Sequence, residues 1–120
     1  SGKTPNPCIW CNEQIKLKTL GELADQYGIQ YFATGHYAGK EFDAEAQRWL
    51  ITKAKDRRKD QSYFLSLVSQ EHLERLLLPL ADKRKTDIRL LMKDLGISIL
   101  QEEESHEICF LNGKSYRDFL

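Results

Sequence analysis

The sequence is poor in the residues that build stapled, fibrous or membrane-spanning chains. Three cysteines among 120 residues are too few, and odd in number, for the disulfide lattice of a small secreted domain. Three prolines and seven glycines leave no collagen-like or low-complexity tract, and no internal repeat is present. The longest apolar stretch, Leu76 to Leu78 with Leu80 beyond Pro79, falls far short of the roughly 20 residues that cross a bilayer. Neither charge sign dominates: Lys+Arg and Asp+Glu both number 18, so net charge argues neither for nor against a nucleic-acid partner. No basic-then-apolar leader opens the sequence, so a cytoplasmic, reducing environment and no membrane partner are expected. Met92 is the sole methionine, and an internal piece of a longer chain is expected.

What is present suits one soluble globular domain: 41% apolar and 30% charged residues. Asn6-Pro7 reads as a helix start, with Asn as the cap and Pro at the first helical position. Helical spacing of Ile15, Leu20, Leu23, Ala24 and Tyr27 carries that helix to Gly28, a C-cap. Ile29 to Thr34 is β-prone and ends at Gly35-His36, and a helix followed by a short buried strand is the rhythm of an α/β sheet. A hairpin is expected between His36 and Lys55, its strands around Tyr37 and around Trp49 to Thr52. Further helices are expected from Asp60, from Ser69 to about Leu78, and from Thr86 to Gly96, each opening on a capping residue. A strand is expected at Ile97 to Leu100.

Cys8 and Cys11 form a C-x-x-C unit on one face of the first helix. Free N–H groups and the positive end of the helix dipole favour a thiolate there, as a sulfur nucleophile or metal ligand requires. Packing of two small residues beside Ile9 and Trp10 explains the pair equally well. Cys109 sits in the apolar run Ile108 to Leu111 and reads by itself as a core residue. Were it returned to the first helix, two thiols that meet could pass a sulfur atom through a persulfide and a disulfide. His36 stands at the carboxyl end of a strand, the edge where α/β sheets bind ligands, although a turn-capping role fits it as well. His72 reads as a helix-surface residue. Zinc lacks a second C-x-x-C or an H-x-x-x-H to complete its usual spacing. The basic run Lys53, Lys55, Arg57, Arg58 and Lys59 reads first as a solvated surface. With Gln61 and Tyr63 following, it also suits a phosphate backbone next to a base.

Several segments occur together and in order: Thr4-Pro5-Asn6-Pro7-Cys8-Ile9-Trp10-Cys11-Asn12, Ile15-Lys16, Ala33-Thr34-Gly35-His36-Tyr37-Ala38, Lys59-Asp60-Gln61-Ser62-Tyr63-Phe64-Leu65, Glu107-Ile108-Cys109-Phe110 and Tyr116 to Leu120. In this the chain closely resembles the tRNA-specific 2-thiouridylases (the MnmA/TrmU family) over nearly its whole length. The resemblance implies an ATP- and Mg2+-dependent sulfurtransferase that adenylates the wobble uridine of tRNA and delivers sulfur from a cysteine persulfide. It implies Cys11 as nucleophile and Cys109 as persulfide carrier. It also implies Asn6, Pro7 and Cys8 against the target base, Gly35 against ATP, His36 against tRNA, and Lys59, Asp60 and Gln61 as a tRNA-binding tripeptide. Its partners would be tRNA, a persulfide donor protein and further parts of its own chain.

Many members of that family carry Asp where this chain has Cys8, so an iron–sulfur cluster held by Cys8, Cys11 and Cys109 is an alternative. The family's Ser-Gly-Gly-x-Asp-Ser loop is absent from these residues, and so is its C-terminal β-barrel. The expected fold is therefore the end of a nucleotide-binding α/β domain of the adenine nucleotide alpha hydrolase type (residues 1–55). A mainly helical central region with a small β-element follows (residues 56–120), which returns Cys109 to the active site. Alone, the 120 residues are expected neither to adenylate nor to thiolate tRNA, and to expose apolar surface.

Overall fold

The computed structural model describes residues 6–98. The expected first helix is present as one continuous rod with a change of winding in its middle: α1 spans Pro7–Cys11, a π-helical stretch spans Asn12–Leu17, and α2 spans Lys18–Gln26. Asn6 caps it, its side-chain oxygen accepting from the Cys8 amide at 3.2 Å, and Pro7 fills the first position. The Lys18 amide reaches the Glu13 carbonyl, five residues back, and this wider turn defines the π stretch. The rod closes as the sequence indicates, with Gly28 at a φ of 66° and the Ile29 amide bonded to the Ala24 carbonyl at 2.7 Å.

The expected strand at Ile29 to Thr34 shrinks to β1, Phe32–Ala33. Its partner arises where a helix was expected. α3 covers only Gln70–Arg75, capped by the Ser69 hydroxyl, and Leu76–Leu77 form β4. β4 runs parallel to β1 with Phe32 opposite Leu76. Leu76 is fully buried, and burying its side chain while satisfying its backbone across β1 wins over continuing the helix to Leu78.

The hairpin is present, with β2 at Ala38–Asp43 and β3 at Arg48–Lys53 paired antiparallel. Asp43 closes the turn by accepting from the amides of Glu45 and Ala46 at 3.0 and 3.1 Å. Phe42 and Trp49 meet edge to face across it. Gln70 docks the hairpin on α3 through both its amide atoms, 2.7 Å from Trp49 N and 2.9 Å from Trp49 O.

The helix expected from Asp60 is a single 3-10 turn, Ser62–Leu65. α4 spans Lys85–Asp94, with Arg84 rather than Thr86 at the cap position and no cap from Arg84's own side chain. Asp56 does that work from a distance, its Oδ2 accepting from the Lys85 amide at 3.0 Å. Gly96 ends α4 at a φ of 70°. Ile97 and Ser98 form no strand, and the remainder of that expected strand lies outside the described residues. One apolar core gathers Leu17, Ala24, Phe32 and Ala38 with Leu65, Val68, Leu73 and Leu76, so segments from both sides of residue 55 share it.

Candidate functional site

Three of the segments singled out in the sequence lie against each other. The first link runs from the π stretch to the 3-10 turn: Asn12 Nδ2 donates to the Phe64 carbonyl at 3.1 Å. The second joins the loop at Gln61 to the segment between β1 and β2. The Gln61 amide donates to the Tyr37 carbonyl at 2.7 Å, and the Tyr37 amide donates back to Gln61 Oε1 at 3.1 Å. The Cys-containing rod, the Thr34-Gly35-His36-Tyr37 segment and the Lys59-Asp60-Gln61 segment are thereby tied by backbone and amide contacts.

On that frame, Cys8 and Cys11 are half-buried, and no disulfide joins them to each other. Asn6 is exposed and spends its side-chain oxygen on the helix start. Gly35 is exposed beyond β1, and a Cβ added there would meet no atom within 4 Å. The half-buried imidazole of His36 places Nδ1 2.9 Å from Thr34 Oγ1. Burial, and after it the positive charge of Lys16, hold His36 below its ordinary value, so it is uncharged at neutral pH.

The tripeptide divides its labour. Lys59 donates its amide to the Asp56 carbonyl at 3.1 Å. Asp60 bridges two elements, accepting at Oδ1 from the Ala54 amide and at Oδ2 from the Ser62 hydroxyl, each at 2.6 Å. Partial burial opposes its ionisation, yet the Ser62 hydroxyl, the Ala54 and Ser62 amides and the Lys53 charge together hold the carboxyl below its ordinary value. Gln61 has Oε1 committed to Tyr37, which leaves Nε2 as the group available to donate outward.

Asn12 and Lys16 were not assigned roles from sequence. Asn12 is only 3% exposed, and its Oδ1 has no hydrogen-bond partner among the described residues. A polar side chain at a buried position of an otherwise apolar helix face was the available signal. His72 is not the surface residue its sequence context suggested. Its Nδ1 lies 3.0 Å from both carboxylate oxygens of Glu13, its ring meets Phe32 edge on, and Gly21 leaves it space. This contact anchors the π stretch to α3.

Cys109 lies outside the described residues, so its expected meeting with Cys11 and its membership of a cluster do too. Among the described residues no three of His, Cys, Asp and Glu are placed to hold a metal ion. Nor is any described helix long and apolar enough to cross a membrane.

Residues 1–113 match the family model described as the tRNA methyl transferase HUP domain. The chain is 43% identical over 119 residues to the tRNA-specific 2-thiouridylase MnmA 1 of Caldanaerobacter subterraneus, covering 99% of the chain and 33% of that relative. It is 49% identical to the MnmA of Desulforudis audaxviator, over 99% of the chain and 34% of the relative. To the MnmA of Moorella thermoacetica it is 44% identical, over 99% and 33%. The chain thus spans about a third of the length of the curated relatives it matches.

Proposed function

Because this chain belongs to the tRNA methyl transferase HUP-domain family, that of the tRNA-specific 2-thiouridylases, we propose that it is the part of such an enzyme that holds the target uridine and the attacking thiol. The reaction is the 2-thiolation of the wobble uridine of tRNA. The observation behind this reading is the bonded junction of the three segments, in which Asn12 reaches Phe64 and Gln61 exchanges two hydrogen bonds with Tyr37. Nothing in a merely structural helix–hairpin unit requires a C-x-x-C, a strand-end histidine and a basic loop to converge.

ATP, with Mg2+, supplies the adenylation that turns the 2-carbonyl oxygen of the uridine into a leaving group. Gly35 leaves room for the nucleotide beside the strand end, while the glycine-rich phosphate loop is not among the 120 residues. Sulfur arrives as a persulfide on Cys109, supplied by a donor protein. Its terminal sulfur would bond to C2, Cys11 would attack the inner Cys109 sulfur and break the persulfide S–S bond to form a Cys11–Cys109 disulfide, and the C2–O bond would break with AMP leaving, so that the sulfur stays on the base. Asn6, Pro7 and Cys8 face the base, and neutral His36 offers a ring nitrogen to the RNA. Lys59 supplies charge for phosphate, while Asp60 and Gln61 set the loop that carries it.

Residues 1–55 are assigned to the end of the nucleotide-binding domain and 56–120 to the central region. That division is one of family regions, since packing runs across it. The 120 residues by themselves are expected to form no 2-thiouridine. The full-length enzyme with Cys11→Ser should lose product by at least about 100-fold while binding tRNA as the wild type does. Full thiolation by that variant, measured by mass spectrometry of digested tRNA, would refute the assignment.

A further inference from the structure

The chain is neutral overall, yet its positive charge is not spread evenly. Residues 53–60 and 81–89 together contain nine Lys or Arg against four Asp. The fold joins these two stretches, which are far apart in sequence. The Lys55 amide donates to the Ala81 carbonyl at 2.8 Å, and the Lys85 amide donates to Asp56 Oδ2 at 3.0 Å. Asp56, one of two acids in the first stretch, is occupied as a clamp, since the Arg58 amide also bonds its Oδ1 at 3.2 Å. Asp60 is likewise occupied by Ala54 and Ser62. Lys53, Lys55, Arg57, Arg58, Lys83 and Arg84 are all exposed; Lys83 pairs with Asp82 at 3.6 Å, and the Lys53 charge acts on Asp60.

The geometry points to a second, sequence-distant half of the RNA-binding surface: Lys83 and Arg84, at the foot of α4, extend the Lys53–Arg58 run into one basic face that grips tRNA phosphates beside the target nucleotide. This rests on the proposed tRNA reading and adds to it a site outside the Lys59-Asp60-Gln61 segment. Separate phosphates are contacted from the two stretches, because each is presented by its own backbone segment while the Asp56 clamp keeps their spacing constant. An RNA backbone suits such a face better than an acidic protein does, since exposed, mutually repelling cations are matched by regularly spaced charges.

The test uses the full-length protein and unmodified tRNA, with dissociation constants measured between 50 and 200 mM KCl. Each phosphate contact contributes about a 3-fold loss of affinity over that range. K83Q/R84Q should therefore bind more weakly at 50 mM salt, and its loss of affinity between 50 and 200 mM should be about 7- to 12-fold smaller than the wild type's. K83R/R84K keeps the charges and should restore both quantities. Thermal melting of K83Q/R84Q should match the wild type, since both side chains are exposed. Unchanged affinity and salt slope in K83Q/R84Q, with loss in K55Q/R57Q, would overturn the extended face and leave the tRNA reading standing. Failure of the wild type to bind tRNA would remove both. If K83Q/R84Q binds tRNA normally but accepts sulfur poorly from the donor protein, the face belongs to a protein partner and the inference is overturned.

Discussion

At the scale of single residues, much of the site depends on side chains whose oxygens are spent inside the protein. Gln61 is the clearest case. Truncating it to Ala removes the acceptor for the Tyr37 amide, which should cost about 1 kcal/mol in urea unfolding. In the full-length enzyme, thiolation as proposed above should fall further than stability accounts for, because the His36 segment loses its tie to the basic loop. Titration offers an independent check. The Lys85 amide, and with it the Arg58 and Lys59 amides and the Lys59 charge, holds Asp56 below its ordinary value against the opposing effect of desolvation. A carboxyl depressed in the folded state contributes stability that is present above its unfolded value and disappears as pH falls through the folded one. Asp56→Asn should therefore flatten the acid limb of the urea midpoint plotted against pH. His36, also depressed, binds its proton more readily when unfolded. Stability should accordingly decline as pH falls below the ordinary histidine range, and His36→Gln should remove that part of the curve.

At the scale of elements, two short pairings decide whether the site assembles. β1 and β4 contribute only two residues each, so their union depends on the side chains beneath them more than on the ladder. Leu76→Ala should cost about 2–5 kcal/mol and loosen the segment leading to His36, read as a drop in melting temperature with faster amide exchange at Thr34, whose amide bonds Leu77 O at 3.2 Å. The hairpin has a comparable pressure point at Gly39, where an added Cβ would collide with the Thr52 hydroxyl. Gly39→Ala should lower stability by about 1–3 kcal/mol, and pairing it with Thr52→Ser should leave the clash in place. Arg75 secures the other side: it donates to the Gln30 and Ile29 carbonyls at 3.0 and 3.1 Å and pairs with Asp25 at 2.9 Å. The hairpin and the capped rod were legible because turn residues and helix caps act locally. β4 was not, because three consecutive leucines satisfy a helix and a buried strand equally.

At the scale of the whole molecule, residues 6–98 bury one modest core and leave large apolar side chains in the open. Leu90, Leu91, Leu95 and Ile97 around α4 are 62%, 52%, 65% and 49% exposed, an unusual load for an isolated soluble domain. The 120-residue chain should therefore elute in size-exclusion chromatography with a mass that rises with concentration. A constant monomer mass by light scattering would count against this. The exposed face and the basic one are separate in character, so added salt should weaken tRNA binding without dispersing the self-association.

The order of the motifs, the capped first helix, the hairpin and the family were all readable from the residue string, because each rests on neighbours within a few positions or on a pattern of spaced residues. Tertiary structure alone decided that Leu76 would be a strand, that Asp56 would cap a helix almost thirty residues away, and that Asn12 and Gln61 would fasten three segments into one site. It also brought Lys83 and Arg84 beside the Lys53–Arg58 run. These are contacts between groups distant in sequence, and which partner a buried polar atom takes is set by what the folded core leaves within hydrogen-bonding reach.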